Sequence, residues 1–178
     1  MKKTTATLAI LALGACSTFE PPRYNILVDN NVALKSIAVG GINVGRFKRP
    51  YAFDNACRAG GHIVPPDNLT FEAYIQKAVA DELSIAGMFD DKTPKITLTG
   101  EVERLSFSSW RGINGGEWDI GIRITSTNGK SMSVSHRYEF NIAGNPCQQT
   151  AQAFLPAVQD LIGKLVKAHE FRGLLVNI

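Results

Sequence analysis

Residues 118–142, WDIGIRITSTNGKSMSVSHRYEFNI, read as a β-hairpin whose register follows from its side chains. Trp118, Ile120, Ile122 and Ile124 alternate with Asp119, Gly121, Arg123 and Thr125. After Asn128-Gly129, Met132, Val134, His136, Tyr138, Phe140 and Ile142 alternate with polar residues. Directly opposed residues of an antiparallel pair share a face of the sheet. A two-residue turn at Asn128-Gly129 would set Ile124 against Ser133, apolar against polar. A three-residue loop, Thr127-Asn128-Gly129 with Gly129 left-handed, pairs Ile124 with Met132, Ile122 with Val134, Ile120 with His136 and Trp118 with Tyr138. Every row then buries one face, so the three-residue loop with a bulge is predicted.

Upstream, Ile96, Leu98, Gly100 and Val102 alternate with Thr97, Thr99, Glu101 and Glu103, and the apolar phase then moves to Leu105 and Phe107. That shift predicts a bulge near Glu103-Arg104. Before this strand, Phe71, Tyr74, Ile75, Ala78, Val79, Glu82 and Leu83 keep helical spacing, and all but Glu82 are apolar. Asn68 or Thr70 can cap the helix, Glu72 suits its first turn, and Gly87 stops it. After the hairpin, Asn145-Pro146 opens a second helix with a broad stripe from Ala151 through Phe154, Leu155, Val158, Leu161, Ile162, Leu165 and Val166. Pro156 inside that stripe should kink or restart it. Phe171, Leu174 and Leu175 either pack back on the sheet or stay exposed.

Residues 36–44, SIAVGGINV, read as the first core strand, and residues 45–69 as a long irregular connection. Residues 17–34 read as a tether: Glu20-Pro21-Pro22-Arg23 cannot be helical, Tyr24–Val28 suit a short edge strand, and Asp29-Asn30-Asn31 suit a turn. The element order is β-α-β-β-β-α. It predicts an α+β two-layer sandwich, a mostly antiparallel sheet of about four strands with two helices on one face.

The chain has 178 residues, 44% hydrophobic, 20% charged and 8% aromatic, which suits one packed domain and argues against disorder. Residues 1–15 read as a signal peptide: Lys2-Lys3, the apolar run Leu8–Leu13, and small residues Gly14-Ala15. The run is far shorter than the ~20 residues a membrane-crossing helix needs. Leu13-Gly14-Ala15-Cys16 resembles the lipobox of bacterial lipoproteins. The resemblance implies cleavage before Cys16, a diacylglycerol on its thiol and a further acyl chain, such as palmitate, on its freed amine. Ser17 after the cysteine implies, as in enteric lipoproteins, outer-membrane residence facing the periplasm. Residues 16–34 would be the lipidated start and tether, and residues 35–178 a single periplasmic domain. Without Lys2 and Lys3 the formal charge falls from +3 to +1, 17 basic against 16 acidic. Such a domain lacks the basic surface that nucleic-acid binding needs.

With Cys16 acylated, Cys57 and Cys147 remain, an even pair in an exported protein, which suggests a disulfide closing a loop of roughly 90 residues. The alternatives are free thiols or a metal site. His62 lies close after Cys57, yet two such ligands do not complete a tetrahedral site.

The layout of residues 36–172 resembles the YajG-type family of small bacterial lipoproteins. The likeness is carried by FEAYIQKAVADELSIAGMF (71–89), KITLTGEVERLSFSS (95–109), the Asn128-Gly129 hairpin and AVQDLIGKLV (157–166) with the following HEF. It is more distantly similar to the amino-terminal domain of TolB and to lipoproteins that assist envelope machines. The resemblance implies envelope location and no known catalysis.

No motif carries chemistry. His62, His136 and His169 lack metal spacing, and His136 falls on the inward phase of its strand. No Gly-x-Ser-x-Gly elbow exists. GGINVG (40–45) lacks a following helix and a Lys-Ser/Thr, so its glycines fit a bulge or a close neighbour better than a phosphate. Glu101 and Glu103 fall on the outward face. No cofactor is expected. SSWRGINGGEW (108–118) places Trp110 and Arg111 in a connection. They are candidate partner contacts, since Trp and Arg favour binding hot spots and a Trp can rest against lipid head groups. Otherwise Trp110 caps the core.

The expected function is that of a membrane-anchored lipoprotein, not an enzyme. Its domain binds or helps assemble an envelope component, with outer-membrane lipid and an envelope protein as partners. Two alternatives stand beside it: an accessory lipoprotein of lipid or solute transport that holds an apolar ligand, and an envelope hydrolase.

Overall fold

A computed structural model describes residues 18–58, 60–112 and 114–176. The signal peptide and Cys16 lie outside the described residues. The elements are β1 (Thr18–Phe19), α1 (Val28–Lys35), β2 (Ile42–Lys48), β3 (Ala56–Cys57), β4 (Gly61–Ile63), α2 (Phe71–Ile85), β5 (Ile96–Arg111), β6 (Gly115–Ser126), β7 (Ser131–Asn141), α3 (Pro146–Lys167) and α4 (His169–Leu174), with a 3-10 turn at Pro66–Asn68. The main sheet has the order β2-β5-β6-β7, antiparallel except for β2 beside β5. The helices cover one of its faces, so the fold is an α+β sandwich, as expected. A small sheet of order β1-β4-β3 packs beside α3.

The hairpin register is the one derived from side-chain alternation. Trp118 opposes Tyr138, Ile120 opposes His136, Ile122 opposes Val134 and Ile124 opposes Met132, with Gly129 at φ +84°. The β5–β6 register slips between Val102 and Arg104, so Glu103 is the extra residue of the bulge. A second irregularity lies between Val44 and Phe47 in β2, where Gly45 packs against Thr97 and Thr99. Gly100 matters for another reason. Its position lies under the Phe47 ring, and a Cβ there would sit 2.5 Å from ring carbons.

The core lies between the sheet and α2 and α3. Trp118 is its centre, fully buried, with Phe154 at 4.7 Å, Phe107 at 4.9 Å and Phe71 at 5.9 Å between ring centroids. Its indole N–H donates to the Thr150 carbonyl at 2.8 Å, which satisfies the one polar atom the ring brings inside. Thr70 caps α2, accepting from the Ala73 N–H. Asn145 caps α3, accepting from the N–H groups of Cys147 and Gln148.

Several expectations need correction. The first core strand begins at Ile42, not Ser36. The loop before it turns at Gly41, φ +82°, and Ile37 and Val39 pack against the core from outside the sheet. α3 passes through Pro156 without restarting. The carbonyl that loses its partner there belongs to Gln152, an exposed residue. Phe171, Leu174 and Leu175 take the packed one of their two expected alternatives and are buried. Asn128 fixes this end: its side-chain amide donates to the carbonyls of Gly173, Leu174 and Val176, and the Ser126 hydroxyl donates to the Leu174 carbonyl.

The largest correction concerns residues 18–34, which form a strap packed on the helices rather than a tether. Tyr24–Leu27 form no strand, and Asp29-Asn30-Asn31 lie inside α1 rather than in a turn. Arg23 makes a two-pronged contact with Asp67, whose carboxyl that bond holds below the usual range. The Tyr74 hydroxyl donates to the Pro22 carbonyl, and the Gln159 amide donates to the Asn25 carbonyl. Buried Glu82 is the clasp: one carboxylate oxygen accepts from the Tyr24 hydroxyl at 2.6 Å, the Leu27 N–H at 3.1 Å and the Asn30 amide at 3.2 Å. Asn30 reaches this point because Gly163 of α3 has no side chain to exclude it.

Candidate functional site

Of the residues singled out from sequence, Cys57, Cys147, Trp110 and Arg111 gather at one end of the domain. Cys57 and Cys147 form a disulfide, with Cα atoms 5.7 Å apart and a separation of 90 positions in the chain. It fastens β3, otherwise part of a long irregular connection, to the first turn of α3. Arg58 follows directly, at φ 50°. Its guanidinium donates to the Ser109 hydroxyl and to the Ser109 carbonyl, and lies 5.1 Å from the centre of the Trp110 ring.

Trp110 does not cap the core. It is 71% exposed at the end of β5 and, among the described residues, stacks on the Arg58 cation alone. Arg111 beside it is an ion-pair centre, reaching Glu117 at 3.3 Å and Glu139 across the sheet end. These pairs are partly exposed, so each adds little stability. They do hold the β5–β6 turn against the end of β7.

The histidines are dispersed. His62 contacts the Asn55 side chain, His136 faces Asp160 of α3 at 3.3 Å, and His169 opens α4. Among the described residues no group of three or more His, Cys, Asp or Glu side chains could hold a metal ion. No described helix is long and apolar enough to cross a membrane. The glycines of residues 40–45 serve the β2 entry and its bulge.

Three features were not singled out from sequence. The first is Arg58, whose only signal was its place beside Cys57. The second is a groove of about 940 Å³ at the opposite end, lined by Ala33, Ile37, Val166 and Leu174 and rimmed by Lys130, Lys167 and Arg172. No local pattern marks it, because three separate segments, 33–37, 130–131 and 166–176, build it.

The third is the outer edge of β7. The Ser126 N–H donates to the Lys130 carbonyl, and the Ile142 N–H to the Asn114 carbonyl. The even-numbered residues of β7 therefore make the hydrogen-bonded pairs with β6, and the odd-numbered ones turn their N–H and C=O groups away from it. Ser131, Ser133, Ser135, Arg137, Glu139 and Asn141 thus line the free edge, and all are exposed. Among the described residues none of these backbone groups has a partner.

No family model and no curated protein matches the chain. The fold has solved relatives in shape. Protein XCC0632 from Xanthomonas campestris, described under the family model DUF330, superposes with a TM-score of 0.55 at 12% identity, covering 89% of this chain and 97% of that one. At that identity the likeness is one of fold: this chain shares the α+β architecture of a bacterial protein over nearly its whole length.

Proposed function

We propose that the chain is a small bacterial lipoprotein of YajG-like type, cut before Cys16, acylated there and held at the outer membrane facing the periplasm. Its domain is a non-catalytic module that binds an envelope protein by accepting a strand along β7. The observation that carries this reading is the free edge of β7, 11 residues long. Edge strands that are not meant to pair are usually short, bulged or guarded by charge. The stretch Ser131-Met132-Ser133-Val134-Ser135-His136 has no such guard on its outward positions, which are serines. Backbone pairing there would supply affinity, and the alternating outward side chains would supply selectivity. Between sheet and helices the core is filled with Trp118, Phe154 and their neighbours, so binding is left to the surface.

Photo-crosslinking in intact cells tests this. A crosslinker at Ser133 should capture one discrete envelope protein, whereas one at Thr99, exposed on the same sheet but in a central strand, should not. Ser135→Pro should abolish capture with little change in folding, because the N–H it removes faces the free edge. Undiminished capture by Ser135→Pro would exclude strand addition at this edge.

A second reading, carriage of an apolar ligand for lipid or solute transport, is favoured by the groove beside α4. Lipid retained in native mass spectra, and lost when Ala33 and Ile37 are changed to aspartate, would move the assignment there.

A further inference from the structure

The start of the described chain and the Trp110 platform lie at the same end. β1 runs parallel to β4, Thr18 opposite His62 and Phe19 opposite Ile63. The Thr18 end of β1 therefore lies on the Gly61 side of β4, and Gly61 pairs with Cys57. Cys16, outside the described residues, is joined to Thr18 through two residue steps, a reach of at most about 7 Å. Arg58 follows Cys57 and holds Trp110. Gly115, opposite both Arg111 and Asn141, belongs to this end too.

We propose that this end of the domain rests on the phospholipid surface that holds the acylated Cys16, with Trp110 lodged at head-group level and Arg58 meeting a lipid phosphate. The inference rests on acylation of Cys16. With so short a connection the domain cannot stand away from the bilayer, and one of its surfaces must face the head groups. The surface nearest the attachment point is the one that carries an exposed indole. An indole gains at the interface, its ring leaving water while its N–H stays hydrogen-bonded. Arg58 pairs with no carboxylate among the described residues, and a guanidinium presents a fork that matches a phosphate. Tethering makes the contact intramolecular, so even weak affinity keeps it populated. The disulfide next to Arg58 fixes the platform to α3, and thus fixes the orientation of the whole sandwich. The Asn128 turn and the groove beside α4 would then project away from the membrane by about the length of β6, roughly 36 Å for its 12 residues.

The test uses the acylated full-length mature protein in vesicles of phosphatidylethanolamine and phosphatidylglycerol, some carrying brominated acyl chains. Its two tryptophans separate cleanly: Trp118 is fully buried and Trp110 is exposed. The expected result is a blue shift and loss of most of the Trp110 emission in brominated vesicles, with shielding from aqueous acrylamide. Trp110→Phe should fold normally, and its remaining Trp118 emission should stay nearly unquenched. Arg58→Ala should restore acrylamide access to Trp110. Intact mass of the same sample reads acylation independently. Acyl mass present with Trp110 still open to acrylamide overturns this inference and leaves the anchor standing. Absence of acyl mass overturns both. Shielding of Trp110 in a Cys16→Ser chain without vesicles would assign the platform to a protein contact and also overturn it.

Discussion

Changing Cys57 and Cys147 together to alanine should destabilise the domain by about 4–5 kcal/mol, the chain-entropy value for a loop of this length. The equivalent fall in melting temperature is about 10–18 °C for a protein of this size. The cross-link joins residues 90 positions apart and therefore removes much freedom from the unfolded chain. Both cysteines are buried, which makes alanine a better probe than serine, whose hydroxyl would need a new partner. Reduced native protein should match the double variant in urea unfolding. The effect has a local side as well. The connection between β2 and α2 holds Phe53, which packs edge-on against Phe71 at 5.0 Å and lies 6.0 Å from Phe107. If the loss were below about 1 kcal/mol, those contacts rather than the disulfide would hold the connection in place.

Glu82→Ala should cost about 3–4 kcal/mol and release the strap before the rest of the domain unfolds. The carboxylate is 1% exposed and accepts three hydrogen bonds. Its removal strands the Tyr24 hydroxyl, the Leu27 N–H and the Asn30 amide, each costing about 1 kcal/mol or more where water cannot replace the partner. Burial, then Glu82, pushes the Tyr24 hydroxyl well above the usual tyrosine range, so it remains a donor throughout the pH range in which the protein is handled. Glu82→Gln keeps one acceptor oxygen and should lose about half as much, since a bond to a neutral acceptor is the weaker one. Urea unfolding gives the energies, and limited proteolysis gives the location. Cuts in residues 20–34 should appear in Glu82→Ala under conditions where native protein is intact. Unchanged resistance of that segment would mean that Arg23–Asp67 and the Tyr74 contact hold the strap without the clasp.

These two features differ in how far the sequence disclosed them. The cysteine pair was legible by counting, because setting the lipobox-like Cys16 aside leaves an even pair, Cys57 and Cys147. Glu82 was legible only as an anomaly, one acid in an otherwise apolar helical stripe. Its partners lie more than 50 positions away in a segment whose Pro-Pro and Asn-Asn pairs read as tether and turn. α1 has eight residues and could not persist alone; the clasp and α3 make it a helix. The hairpin register and the Glu103 bulge were legible because side-chain alternation has a period of two and tolerates no slip. The start of β2 was not. Its parallel partner β5 lies some 50 residues away, and the apolar density of Ile37 and Val39 drew the boundary too early. For Trp110 the sequence left surface contact and core cap both open; Arg58, distant in sequence, holds it at the surface.

The most direct measurement is the intact mass of protein extracted from membranes, set beside a Cys16→Ser chain. The expected result is a polypeptide beginning at residue 16 that carries the mass of a diacylglycerol and an added acyl chain, all of it absent from the serine variant, which should also leave the outer-membrane fraction. A native chain with no lipid mass, together with a serine variant that stays with that membrane, would contradict the anchor and everything placed on it.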